Sequence, residues 1–252
     1  EIYTLSLHDA LPISSWTLDA LFGGKAELFR GLAAEAWAIE QAKHPAPVLR
    51  LDMSMMNVSD VAQFEGSLNS ALTWRAEDAG VTLSSQQPSD KFQELIRALH
   101  RQGGPVVVLI DEYDKPILDK IGNLEAAEAM RDSLRTLYTV LKGCDEYLRF
   151  VMLTGISRFT KTGVFSAMNN LMDISMTESF GDVVGYTQEE LERDFADWID
   201  DTAGKMRLSR QELLMRMKDY YDGFCFDGTT RLYNPFSILN FFFNGRFSNY
   251  PA

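Results

Sequence analysis

Apolar residues recur along this chain in two rhythms. Val106 to Ile110 forms an unbroken apolar run after the breakers Gly103-Gly104-Pro105, and a second apolar stretch, interrupted only by Arg149, extends from Leu148 to Leu153. Runs of this length without polar alternation predict strands buried on both faces. Pro47 to Met53 predicts another short strand, and Asp173 to Met176 one more. Between them the spacing is helical. Ser59 is placed to cap a helix carrying Phe64, Leu68, Ala71, Leu72 and Arg75 on one side, with Gly80 as its stop. Phe92, Leu95, Ile96 and Leu99 mark a second amphipathic helix, and Met130, Leu134, Leu137, Tyr138 and Leu141 a third. Upstream, Leu18, Leu21 and Phe22 predict a helix that ends at Gly23-Gly24, Leu28 and Phe29 a short helical piece, and Lys43-His44-Pro45 the end of another helix. Apolar strands alternating with helices predict a mostly parallel sheet covered by helices. From residue 184 onward the pattern is helical. Thr187-Gln188-Glu189-Glu190 and Ser209-Arg210-Gln211-Glu212 both have capping-box form, which predicts a small helical subdomain.

Residues 1–13 stand apart. Glu1 to Ile13 is apolar enough to resemble a weak secretion signal but lacks a basic start. All thirteen residues coincide with the translation of a common short-read sequencing adapter, so they are expected to be adapter-derived and to contribute nothing to the fold. The domain reading is then 14–183 for an α/β core and 184–252 for the helical subdomain.

Composition mainly excludes. A 252-residue chain with 46% hydrophobic and 24% charged residues has a globular profile. Its 36 acidic and 24 basic residues give a net charge of -12, or -10 without Glu1 and Asp9. That balance predicts no general attraction to nucleic acid or to an anionic membrane. Cys144 and Cys225 are far apart and sit among apolar or aromatic neighbours, which suits a reducing, cytoplasmic compartment better than a disulfide scaffold. No apolar run approaches membrane-spanning length.

Chemistry concentrates at the ends of the two buried strands. Asp111 and Glu112 follow Val106 to Ile110 directly, at the edge where open α/β sheets bind ligands. This is a Walker B pattern: Asp111 would hold Mg²⁺ through water, and Glu112 would polarise the water attacking a γ-phosphate. Two acids in an ordinary strand-end loop fit the same letters. Thr154 ends the next strand and is a candidate for a polar sensor of the phosphate or the water. Arg158 could contact a phosphate as a bidentate donor or pair with a surface acid.

Further blocks extend the pattern: Asp111 to Leu118, Leu153 to Phe159, Leu171 to Ser175, Gly185 to Leu191, Tyr220 to Phe224 and Tyr233 to Ser237. In this order they resemble the successive motifs of the predicted AAA-ATPase-like family. The resemblance implies a P-loop NTPase-like (ASCE/AAA-like) domain using ATP and Mg²⁺, with a helical lid-like subdomain, possible homo-oligomers, and in bacterial proteins a following PD-(D/E)XK nuclease-like domain. Family members carry an Arg-rich P-loop ending Phe-Gly-Lys-Ser just before a segment similar to Trp16 to Phe22. Here that loop is missing, and its strand is expected to be missing too, leaving Ser14 or Ser15 as the nearest remnant. Because the loop supplies most phosphate contacts, the expectation is a fragment, truncated at both ends, that binds ATP weakly or not at all.

Alternatives remain open. An ATPase fold can act as a non-hydrolysing scaffold or regulatory switch. Asp111, Glu112 and Lys115 could be nuclease residues, although Glu112 to Lys115 is one residue longer than the Glu-x-Lys of such enzymes. His44 and His100 lack metal-ligand spacing, and neither cysteine has a histidine nearby. The aromatics from Phe236 to Phe247 suit core packing of a helix entered through Asn234-Pro235. Tyr220 to Gly223 carry no derivable role.

Overall fold

A computed structural model describes the backbone of residues 2–6 and 11–14, and residues 15–157, 164–165 and 171–250 in full. They gather in two compact units, one holding Ile2–Ser6 with Pro12–Met172 and the other the chain from Asp173. A five-stranded sheet frames the first. Its strands are β1 Ile2–Ser6, β2 Val48–Asp52, β3 Val106–Asp111, β4 Leu148–Gly155 and β5 Leu171–Asp173, in the order β2-β3-β4-β1-β5. The pairs β2/β3, β3/β4 and β1/β4 are parallel, with Asp52 opposite Asp111 and Leu5 opposite Thr154. The helices are α1 Leu11–Phe22, α2 Glu35–Lys43, α3 Val61–Asp78, α4 Pro88–Gly103, α5 Lys115–Leu118 and α6 Leu124–Gly143.

β3 is buried along its whole length, as an uninterrupted apolar run requires. Val106, Val108 and Ile110 join Phe64, Leu68 and Leu72 of α3, Phe92, Leu95 and Ile96 of α4, and Leu134, Leu137 and Leu141 of α6 in the main core. Val107 and Leu109 alternate to the other face and are equally buried. Each such side chain contributes about 1.5–3 kcal/mol of transfer free energy, so the sheet's centre fixes the position of whatever follows Ile110.

Three expectations are revised. α3 is capped by Asp60, whose carboxylate accepts the Gln63 N–H at 2.8 Å, while the Ser59 hydroxyl instead bonds Asn57. Asp is as good a cap as Ser, and Asp60-Val61-Ala62-Gln63 sets the helix one residue later. Its stop is as expected: Gly80 has φ +66, and the Val81 N–H reaches back to Ala76 O at 2.7 Å. Residues 1–13, expected to add nothing, supply β1, so the sheet does not lack a strand beside β4. Ile-Tyr-Thr-Leu-Ser is rich in residues that favour strands, and the exposed edge of β4 offers backbone groups that need partners. The strand expected over Asp173–Met176 ends at Asp173, whose carboxylate accepts the Ser175 N–H and starts a turn.

The second unit comprises α7 Gln188–Asp194, α8 Ala196–Met206, α9 Arg210–Tyr221, the antiparallel pair β6 Asp222–Phe224 and β7 Leu232–Tyr233, and α10 Pro235–Asn244. Both capping boxes form, with Thr187 and Glu190 closing one and Ser209 and Glu212 the other. Leu191, Ile199, Leu213, Met217, Tyr221, Tyr233, Ile238, Phe241 and Phe242 make its core. The unit starts at Asp173, ahead of residue 184, and within it Gly181 and Gly185 lie against Asp227 and Leu232, where a side chain would collide. Among the described residues no helix is long and apolar enough to cross a membrane.

Candidate nucleotide site at the strand ends

The ends of β2, β3 and β4 bring together residues distant in sequence. Asp111, the last residue of β3, is only 2% exposed, as is Thr154 near the end of β4, and Ser15 on α1 is 3% exposed. The Ser15 hydroxyl donates to Asp111 Oδ2 at 3.0 Å, and the Thr154 hydroxyl donates to Oδ1 at 2.5 Å. The Glu112 N–H adds a contact to Oδ1 at 3.2 Å. A buried carboxylate is tolerated only with such donors. Nearby, the Arg50 guanidinium carbon lies 3.4 Å from the centroid of the Trp16 ring, joining the residue after Ser15 to β2.

Glu112 leaves the strand in the left-handed region, with φ +49. For a non-glycine residue this costs about 1–3 kcal/mol. The reversal brings the Tyr113 N–H onto Thr154 O at 2.9 Å. The Glu112 carboxyl is pushed above the usual carboxylate range, first by partial burial and then by the charges of Asp52 and Asp111, with Lys115 opposing. Lys115 itself bonds Asp119 at 2.8 Å. A carboxyl at the rim of the site with a raised pKa can accept a proton or orient a water.

Two contributors escaped the sequence reading. Asp52 sits opposite Asp111 in the sheet, and its carboxylate accepts the N–H and hydroxyl of Ser54 at 2.9 and 2.6 Å. The acid was visible at the end of a predicted strand, but only pairing makes β2 the neighbour of β3. The Tyr113-Asp114 pair forms the second contributor. The Tyr113 hydroxyl donates to Ser157 O, and the Asp114 carboxylate accepts the Ser157 N–H. Asp114 is buried, and burial raises its pKa against the lowering effect of its bonds to Ser157. Arg158 lies outside the described residues.

Residues 1–15 contain neither glycine nor lysine, and residues 7–10, which link β1 to α1, lie outside the described residues.

A sheet in which β4 separates the first strand from the acid-bearing β3, with helices packed around it, is an α/β fold of the P-loop NTPase type. Residues 12–165 match the family described as Predicted AAA-ATPase, and the chain belongs to that family. A curated relative, the "uncharacterized protein in vnfD 5'region" of Azotobacter chroococcum mcd 1, is 37% identical over 235 residues, covering 93% of this chain and 43% of the relative. The chain thus spans less than half of that protein's length. Among solved structures, the ORC2 protein of Aeropyrum pernix in its ADP form is 11% identical, with a TM-score of 0.42 over 87% of this chain and 51% of that one. The ORC1 protein of the same organism in complex with DNA is 12% identical, with a TM-score of 0.40 over 85% and 51%. The fold assignment rests on the strand order itself, not on these two likenesses.

Proposed function

We propose that this chain is the Mg²⁺-and-water half of an ATP-hydrolysing module, and that its longer relatives carry the complete site. The observation that carries this reading is the buried Asp111 carboxylate receiving hydroxyls from α1 and β4 at once. Oxygen donors of this kind suit Mg²⁺, which binds through one or two carboxylates, waters and substrate phosphates.

Within the proposal, Asp111 and Ser15 would hold the cation, Thr154 would sense the phosphate end, and Glu112 would orient the attacking water and accept its proton. Bound Mg²⁺ would supply charge neutralisation at the phosphates. Arg158 keeps its proposed role as a second phosphate contact. Residues 1–15 offer a triphosphate neither glycine nor lysine. In a longer relative the module would serve an attached domain, of nuclease-like type on the family resemblance.

Titration calorimetry with Mg-ATP tests this directly. The chain is expected to show no saturable binding at micromolar nucleotide, whereas replacing residues 7–14 by a Gly-x-x-x-x-Gly-Lys loop should create it. In that repaired protein Glu112→Gln should retain binding and lose turnover by about 100-fold or more. Tight binding by the unaltered chain would show that the phosphate site lies elsewhere. Binding without turnover in the repaired protein would favour the scaffold reading, and full turnover in Glu112→Gln would show that Glu112 is not the working carboxylate.

A further inference from the structure

The Asp-Glu-Tyr-Asp stretch contains two residues that the catalytic reading does not use. Tyr113 and Asp114 are both buried. Both turn toward the segment after β4. The Tyr113 hydroxyl donates to the Ser157 carbonyl, while the Asp114 carboxylate accepts the Ser157 N–H, so one residue is gripped at both backbone groups. Gly155 lies so close that a Cβ there would stand 2.5 Å from Asp114 Oδ1 and 2.8 Å from Tyr113 Cδ1. Only glycine lets the strand pass. From the other side, the Tyr138 hydroxyl donates to Tyr113 O at 3.2 Å, and the Phe165 ring lies 5.0 Å from the Tyr113 ring.

Glu112 is enclosed by this arrangement. Its left-handed backbone lies between Asp111, fixed in β3, and Tyr113, whose N–H is fixed on Thr154 O. A non-glycine residue does not hold such a conformation by its own preference, so the neighbours must impose it. The groups that hold Tyr113 in place are those gripping residues 155–157.

From this we infer that Tyr113 and Asp114 are positioning residues: by clamping Gly155–Ser157 they hold the end of β4 against the end of β3 and keep Glu112 in its strained, left-handed conformation. The inference rests on Glu112 being the working carboxylate, but the clamp itself makes a claim about backbone strain that needs no nucleotide to examine.

A double-mutant cycle on the chain as it stands decides it. In the wild-type background Glu112→Gly relieves the strain and should raise the melting temperature relative to Glu112→Ala. With Tyr113→Phe, or separately Asp114→Ala, residue 112 is free to relax, and the advantage of Gly over Ala should disappear. Amide exchange at Ile156 and Ser157 should accelerate about tenfold or more in the clamp variants while exchange at Val107 to Ile110 stays slow. The Glu112 backbone ¹³C shifts and N–H to Hα coupling should also move away from left-handed values. If the Gly advantage persists unchanged in both clamp variants and the Glu112 shifts stay put, the residues merely stabilise the fold and the inference is wrong. Tyr113→Phe removes a single oxygen and keeps the ring, so it serves if Asp114→Ala fails to fold. Absence of ATP turnover in a loop-repaired protein would sink the catalytic reading and leave this result standing.

Discussion

Glu112 concentrates the chemical and conformational tension of the molecule. Its folded-state pKa is raised, so its contribution to stability is present below the ordinary carboxylate value of 4.5 and is lost as the pH rises through the folded value. Glu112→Gln removes that loss. The variant should melt higher than wild type at pH 7, and the difference should vanish as thermal denaturation is repeated toward pH 4. Glu94 behaves oppositely: bonds from the backbone and side chains of Ser84 and Ser85 push its pKa down to about 2. Its stabilising contribution is present above 4.5 and fades as the pH falls toward 2, so Glu94→Gln should melt below wild type at pH 7 and converge with it in acid. Residue types at the ends of two apolar runs were enough to nominate Asp111, Glu112 and Thr154. Asp52, Tyr113 and Asp114 were not nominated for the site, because their partners are strands and loops that no local spacing reveals.

At the scale of elements, capping chemistry was the most legible signal. The boxes at Thr187 and Ser209 formed as written because each is complete within four residues. Ser59 lost to Asp60 because two adjacent residues are both good caps and the packing of Phe64, Leu68 and Leu72 selects the register. The end of α8 gave no such signal. Arg207 occupies the left-handed position with φ +54, and the Leu208 N–H reaches Ala203 O at 2.9 Å, a pattern that glycine usually completes. Arg207→Gly should therefore stabilise the second unit by about 1 kcal/mol, measured by chemical denaturation. Gly155 gives the converse. A methyl group there meets Tyr113 and Asp114, so Gly155→Ala should destabilise by about 1–3 kcal/mol, as overpacking does.

For the molecule as a whole, the least expected feature is the strand at Ile2–Ser6. It occupies the place between β4 and β5 in the sheet. A chain beginning at Ser14 should lose this pairing and melt several degrees lower in thermal denaturation, since one strand's ladder is large against a marginal total. Unchanged melting would restore the view that residues 1–13 add nothing. The family, the alternation of strands and helices, the buried acid-bearing strand and the helical second unit were all written in the sequence, because apolar periodicity and capping depend on neighbours a few residues apart. Only the tertiary structure decided that Ser15 and Thr154 meet on one buried carboxylate, that Asp52 stands beside it, and that Tyr113 and Asp114 grip the loop after β4. Those contacts join residues from 40 to nearly 100 positions apart, and strand order, which no local pattern encodes, is what brings them together.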